Sequence, residues 1–401
     1  MSNDDMSGPR TIDDQRRDAV SRASRVAKIL SSASHRIEEA RELPADVVDA
    51  LHDERMFRLL LPRSVGGDEV DLRTHAEVLE ILANADASAA WCVSQGSGCA
   101  MGVAYMPLEA AKRLFEPRNA VLAYGAGIQG KAVAVDGGYR VTGKWTFASG
   151  SMHATVLGGH SFVVEADGSP RVDADGKRVD RTPLFLREKA KFDDVWQVMG
   201  LKGTGSNTFS VEDLFVPEDE VLGRDQSAFR SETGTLYQIS SFLGYGVGFA
   251  ALQLGIAQGM LEDLTQLART KTARDAPSSM RESPVFQTDL AKMEGRLRAA
   301  RTYLHTTAEN VYKQAAEEKE LSLADRMSLK LATVQTINDA VEVTNGAYRA
   351  AGSTAILLSN KFERRFRDAY SASQQLQARS TNYLTVGRHL LGLEPDTMTT
   401  F

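Results

Sequence analysis

The hydrophobic period of this chain changes twice, and that constrains its fold more than any other feature. From Asp13 to about Pro117 apolar residues recur at helical spacing. They run as Val47, Val48 and Leu51 behind Leu43-Pro44, then Leu72, His75, Val78, Leu79 and Leu82, then a small-residue stretch from Ala87 through Trp91 to Ala104. From about Asn119 the pattern alternates. Short β-prone segments at 139–141, 155–164, 184–186 and 208–215 are separated by turn signals such as Asp136-Gly137-Gly138 and Asp167-Gly168. Beyond about Arg230 the helical period returns, with Phe286, Leu290, Met293, Leu297, Ala300 and Leu304 spaced 4, 3, 4, 3, 4 as in a long bundle helix. Met327, Leu331, Val334 and Val341 extend it into the next helix, and the Ser- and Pro-containing stretch 271–284 separates the first two. A strand face and a helix face repeat differently, so the segments pack as separate layers. The expectation is an α+β, mainly α chain with an N-terminal helical domain (11–118), a small β-barrel-like domain (119–229) and a C-terminal four-helix bundle (230–401).

Composition removes several function classes. With 401 residues, 42% hydrophobic and 25% charged, the chain can bury a large core. A net charge of -6, a pI near 5.8 and no dense Lys/Arg run argue against nucleic acid as a partner. The polar stretch 1–17 has no signal-peptide core, and nowhere do about eighteen apolar residues run together, so a cytoplasmic location without a membrane span is expected. Cys92 and Cys99 lie two helical turns apart, too far for a disulfide, and read as buried small side chains, with a pocket-lining role for Cys99 as the alternative.

The seven histidines show no metal-ligand spacing. His153, just after Ser149-Gly150-Ser151, is the one placed to approach a site, against a surface or core role. The segment from Gly200 through Lys202-Gly203-Thr204-Gly205-Ser206 matches neither the Walker nor the dinucleotide pattern. It reads as a tight turn, or as a cradle whose glycine amides and Thr204 and Ser206 hydroxyls hold an anionic ligand. No Gly-x-Ser-x-Gly elbow occurs. These residues alone describe helical and β domains around an unidentified pocket.

Four segments together resemble the acyl-CoA dehydrogenase superfamily, in that family's order. They are Gly138-Tyr139-Arg140-Val141-Thr142-Gly143-Lys144-Trp145-Thr146-Phe147-Ala148-Ser149-Gly150; Met199-Gly200-Leu201-Lys202-Gly203-Thr204-Gly205-Ser206 with Asp213-Leu214-Phe215-Val216-Pro217; Leu267-Ala268-Arg269-Thr270 with Phe286-Gln287; and Gly346-Ala347 to Gly352 with Glu363-Arg364-Arg365-Phe366-Arg367-Asp368-Ala369. The resemblance implies a flavin between the β domain and the bundle, in a homotetramer whose subunits complete one another's sites. Carried over by position, Phe147, Ala148 and Ser149 lie along the isoalloxazine ring, with the Ser149 hydroxyl at its N5 and O4 edge. Thr204, Gly205 and Ser206 are further cofactor contacts, and Arg269 and Gln287 meet its phosphate or distal part. The family's Phe-Gly pair after the Arg-Thr is replaced here by the longer stretch 271–284.

Acyl-CoA dehydrogenases abstract a proton with a Glu after the Arg-Asp-Ala element or on the first long bundle helix. Here Leu376 stands where that Glu is expected, and residues 233–260 contain no acid. The branch that keeps the fold without the base resembles the two-component flavin-dependent monooxygenases. These take reduced flavin (FAD or FMN) from a separate NAD(P)H-flavin reductase, react it with O2 and protect a C4a-hydroperoxide in a dry pocket, often for aromatic catabolism. Trp196-Gln197-Val198-Met199 and Ala89-Ala90-Trp91 are closer to this branch. Ser149 is the catalytic candidate, with Gln375 either orienting substrate through its amide or a plain helix-surface glutamine, and Trp91, Cys99, Tyr124 and His153 are the substrate-pocket candidates. Many hydroxylases of the branch carry two histidines, whose positions fall here at Gln375 and near Gly98 or Cys99. That departure favours a substrate needing no imidazole base, an indole-like ring or a heteroatom, over a phenol. An acyl-CoA dehydrogenase or related oxidase with another base, and a flavin-free scaffold, are the competing readings.

Overall fold

The computed structural model describes residues 11–272, 278–318 and 320–395. The first ten residues of the polar N-terminal stretch, and part of the segment between the first two long bundle helices, lie outside them. The helical period before residue 118 produces α1 (Ile12–Ala40), α2 (Ala45–Asp53), α3 (Leu72–Ala85), α4 (Ala87–Met101) and α5 (Leu108–Phe115). Their starts follow capping chemistry. Thr11 and Asp14 form a reciprocal capping box on α1, Asp71 caps α3, and Asp86, which closes α3, caps α4. Pro44 stands at the N-cap of α2, one residue before the helix begins.

The alternating stretch forms β1 (Leu122–Tyr124), β2 (Gly130–Val135), β3 (Gly138–Trp145), β4 (Val156–Gly158), β5 (Ser161–Val164), β6 (Asp180–Leu186), β7 (Lys191–Asp193), β8 (Thr208–Pro217) and β9 (Val221–Leu222). They join one sheet in the order β1-β4-β6-β5-β2-β3-β8-β7, with β9 on β6. Its core centres on Trp145, fully buried and stacked on Phe209 at 5.3 Å. Four glycines make room for that indole: a Cβ at Gly125, Gly130, Gly143 or Gly159 would come within 2.5 Å of Trp145. The Trp145 Nε1 donates to the His160 carbonyl at 2.9 Å. This slot pins the end of β3, from which the candidate cofactor segment departs.

The C-terminal region contains three long helices, α6 (Ser241–Ala268), α7 (Pro284–Glu318) and α8 (Leu323–Ala351). The fourth bundle position is shared by α9 (Phe362–Ala372) and α10 (Thr381–Leu390). Gly352, with φ 59°, ends α8, and a turn capped by Gln375 splits the last helical stretch. Phe286, Leu297, Ala300 and Leu304 of the α7 stripe are buried, and Leu290 and Met293 pack half-buried on the same core. α6 is buried nearly all round, against α3, α4, α8 and α9, and is the element on which the helical regions converge. No helix among the described residues is long and apolar enough to cross a membrane.

Candidate functional site

After Trp145 the chain turns sharply at Phe147, whose backbone takes φ 55°, a left-handed conformation unfavourable for a bulky residue. The result is a large ring held outward: Phe147 is 64% exposed and meets Trp196 edge-on at 5.9 Å. Ala148, by contrast, is fully buried, its N–H donating to the Asn207 carbonyl at 3.2 Å. The Asn207 side-chain oxygen accepts from the backbone N–H groups of Val195 and Trp196 at 3.0 and 3.1 Å, tying both strips together. With the exposed Met199 they form an apolar shelf on the β domain.

Ser149 begins a file of hydroxyls at the edge of this shelf. Its Oγ accepts from Trp91 Nε1 at 2.9 Å and lies 2.6 Å from Ser206 Oγ, which lies 2.7 Å from Thr204 Oγ1. The Thr204 hydroxyl donates to the Leu201 carbonyl at 2.9 Å. Each hydroxyl has one proton, so the direction is forced. Thr204 spends its proton on Leu201, Ser206 must donate to Thr204, and Ser149 must donate to Ser206. Ser149 therefore retains a lone pair and no free proton. The turn that carries Thr204 begins at Leu201 (φ 55°) and ends at Gly205 (φ 51°). The Leu201 N–H donates to Asp368 Oδ1 at 2.6 Å. Burial raises the Asp368 carboxyl to about 7, and the side chain is consumed in holding this turn from beneath.

The helical wall of the site is aromatic. Trp91 of α4 stacks on Phe249 of α6 at 4.6 Å, and Phe249 stacks on Tyr245 at 5.9 Å. The Tyr245 ring occupies the notch left by Gly98, where a Cβ would come within 2.3 Å of it, and its hydroxyl lies 3.0 Å from Cys99 Sγ. A phenol thus fills the place where a family histidine was expected. Tyr124 donates to the Cys99 carbonyl at 3.2 Å. Burial pushes the Cys99 thiol up to about 11 and the Tyr245 hydroxyl well above its usual value, so neither is a base at neutral pH. Sequence reasoning missed Gln95. Every other residue of α4 is buried, yet Gln95 is half-exposed with no side-chain hydrogen bond. It sits one turn from both Trp91 and Cys99, on the face they share. Only the burial of its neighbours singles it out.

The remaining candidates divide. His153 lies against Gly150 and Phe57, its ring 5.1 Å from the phenyl, with Nε2 buried and unpartnered; burial lowers it to about 3. Gln375 accepts from the Gln377 N–H at 2.6 Å as a turn cap, leaving its buried Nε2 without a partner. Arg269 and Gln287 are exposed: Arg269 bonds Gln266 and shares a surface groove with Glu262 and Glu294, and Gln287 bonds the Arg281 carbonyl. Arg269 follows Phe249 by twenty residues, about 30 Å along α6. Within one chain these two residues do not join Ser149.

Two family models match the chain, the acyl-CoA dehydrogenase N-terminal domain over residues 14–120 and the acyl-CoA dehydrogenase C-terminal domain over residues 247–379. The chain is similar to an indole-3-acetate monooxygenase of Pseudomonas putida, 27% identical over 88% of this chain and 89% of the relative. It is also similar to the flavin-dependent monooxygenase oxygenase subunit HsaA of Mycobacterium tuberculosis, 28% identical over 96% and 99%. An FADH2-dependent resorcinol hydroxylase oxygenase component of Rhizobium sp. is 29% identical over 94% of each chain. Among solved structures, HsaA monooxygenase from M. tuberculosis matches with a TM-score of 0.86 at 25% identity, covering 96% of this chain and 100% of that one. XiaF from Streptomyces sp. in complex with FADH2 and glycerol matches with 0.88 at 23%, covering 96% and 97%.

Proposed function

Because this chain belongs to the acyl-CoA dehydrogenase superfamily, we propose that it is the oxygenase component of a two-component flavin-dependent monooxygenase. It takes reduced FAD or FMN from a separate NAD(P)H-dependent reductase and inserts one atom of O2 into a small aromatic or heteroatom-bearing molecule. The second oxygen atom leaves as water, and the flavin departs oxidised. The named relatives are themselves monooxygenases or hydroxylases, which supports the reading.

The residues fit a flavin. The shelf of Phe147, Trp196 and Met199 suits a flat aromatic ring, and Ser149 suits its polar edge. Thr204, Gly205 and Ser206 hold the turn beneath. Bound there, the reduced cofactor supplies two electrons and the atom that activates oxygen. Ser149 presents a lone pair to a donor on that ring, Trp91 fixes the Ser149 rotamer, and the Trp91–Phe249–Tyr245 wall excludes water. The observation that carries the assignment is this pairing of a hydroxyl relay with an aromatic wall. The wall segment of α6 brings no carboxylate, since residues 233–260 contain none. His153, held neutral and turned against Gly150, is not poised to deprotonate a phenol, which favours an indole-like ring or a heteroatom. The test is turnover with a flavin reductase, NADH and 18O2. The expected product is an aromatic carrying one 18O; bleaching of bound oxidised flavin by an acyl-CoA, without oxygen incorporation, would instead establish a dehydrogenase.

We also propose a homotetramer, and the exposed apolar surface supports a subunit interface. Leu358, Leu384, Leu390 and Leu391 are large apolar side chains between 63% and 82% exposed. A neighbouring subunit covering them brings its own Arg269 and Gln287 toward the cofactor, resolving their distance from Ser149 within one chain. The double substitution Leu384→Glu with Leu391→Glu is expected to reduce the mass in light scattering to dimer or monomer and to weaken flavin binding. An unchanged mass would place the interface elsewhere.

A further inference from the structure

We propose that Arg224 is the anion-recognising residue of the substrate cavity, and that the substrate is a small aromatic ring bearing a carboxylate arm. This rests on the monooxygenase reading, which puts the reacting end of the substrate at Ser149. Arg224 follows β9 and Gly223 and is half-buried beside Tyr124 and His160, so part of its surface stays accessible. Its guanidinium lies over the Tyr124 ring at 5.9 Å, and Nη1 approaches His160 Nε2 at 3.4 Å. Among the described residues it makes no ion pair. The adjacent Asp225 is the leading negative charge acting on it, with a smaller contribution from Asp180, and together these hold the guanidinium protonated. The Asp225 carboxylate itself accepts from the Ser241 N–H at 2.9 Å and the Ser241 hydroxyl at 2.6 Å, where it secures the start of α6, and makes no hydrogen bond to Arg224. His160 adds no negative charge: its Nδ1 is engaged with Thr182 Oγ1 at 2.7 Å, and burial together with Arg224 keeps the ring neutral.

Apart from the Nη1 approach to His160, no protein hydrogen bond engages the Arg224 N–H donors, and they remain accessible to a ligand. The cation–π contact near 6 Å occupies none of them. A ligand carboxylate, accepting two parallel N–H bonds, would complete the group. The position suits this role. Arg224 lies over Tyr124, whose hydroxyl donates to the Cys99 carbonyl, while Ser149 accepts from Trp91. Trp91 and Cys99 are eight residues apart on α4, about 12 Å. A mono- or bicyclic ring with a short acid arm spans that interval. Between the two lies Gln95, whose partly exposed, unbonded amide marks accessible space on this face of an otherwise buried helix.

The experiment compares calorimetric binding of indole-3-acetate, 3-methylindole and p-cresol to the protein loaded anaerobically with reduced FMN, alongside 18O incorporation from each. The wild type is expected to bind indole-3-acetate about tenfold or more tighter than 3-methylindole. Arg224→Gln should bring that ratio near one without changing 3-methylindole binding, and Arg224→Lys should retain part of it. An unaltered ratio in Arg224→Gln, or a wild type that prefers 3-methylindole or p-cresol, overturns the proposal. Oxygenation of 3-methylindole under those outcomes would leave the monooxygenase reading intact, whereas oxygenation of none of the three would remove both. Loss of reduced FMN binding in Arg224→Gln would assign the cation to the cofactor phosphate and also overturn the proposal. If Arg224→Gln does not fold, the wild-type ratio and Arg224→Lys still decide.

Discussion

Substituting Ser206 with alanine is expected to reduce the preference for reduced over oxidised flavin by about tenfold while leaving the fold intact. The reason is the forced polarity of the hydroxyl file. With Thr204 donating to the Leu201 carbonyl, every proton back to Ser149 is committed, and Ser149 faces the cofactor shelf with a lone pair. A reduced flavin carries a hydrogen on N5 and can donate to that lone pair; an oxidised flavin presents a bare acceptor and meets it lone pair to lone pair. An unmet buried polar group costs about 1–3 kcal/mol, which is about 5- to 150-fold in affinity. Removing the Ser206 hydroxyl frees the Ser149 proton to rotate toward the ligand, so the oxidised form gains most. Ser149→Ala should remove the discrimination altogether. The measurement is the dissociation constant of each redox state by anaerobic calorimetry. An unchanged ratio in Ser206→Ala would show that the relay does not set the redox preference.

Acidification from pH 7 to pH 5 is expected to cost roughly 1–2 kcal/mol of folding stability, and the buried histidines are the cause. Burial lowers His75 and His153 to about 3, and lowers His160 in the same direction. An imidazole with a depressed folded pKa contributes stability that is complete above its unfolded value near 6.5 and is lost as pH falls toward the folded value. At pH 5 that is about 2 kcal/mol for each of the first two. Asp368 opposes them. Its folded value is raised to about 7, so its contribution is complete below about 4 and lost as pH rises to 7; acidification returns about 2–3 kcal/mol. His75 is the informative position because both its ring nitrogens are buried without partners, beside Gly248 and Ser94. His75→Leu should raise the urea midpoint at pH 7 and raise it further at pH 5, while Asp368→Asn should steepen the acid loss. Equal pH slopes in wild type and His75→Leu would rule out this origin.

Much of the architecture was readable from local pattern. The α7 stripe, the α4 and α3 helices and the strands at 139–141 and 208–215 all lie where a period of 3.6 or 2 placed them, because the period reports which side chains share a buried face. The segment 155–164 reads as one run but breaks into β4 and β5 at Gly159, which yields to the Trp145 indole. At the site, Phe147, Ala148, Ser149, Thr204 and Ser206 were legible through their family pattern, and the structure brings them together. Gln95, Tyr245 and Arg224 were not. Each is an ordinary residue type with no spacing signal, and its place is set by distant segments: Tyr245 by the Gly98 notch that it fills, Arg224 by the Tyr124 ring and His160 against it.

Sequence alone determined the order of helical and β units, the lack of acid on the wall segment of α6 and the presence of hydroxyl-bearing residues in the 147–149 and 204–206 segments. These depend on residue type and on neighbours within a turn or a strand. Tertiary structure decided the direction of the proton file, the filling of the Gly98 notch by Tyr245 and the placement of Arg224 over the Tyr124 ring. Ser149 is 58 residues from Trp91 and 57 from Ser206, and Leu201 is 167 from Asp368. Hydrogen-bond polarity and ring contacts belong to such long-range pairs, and they are defined only once the chain has folded.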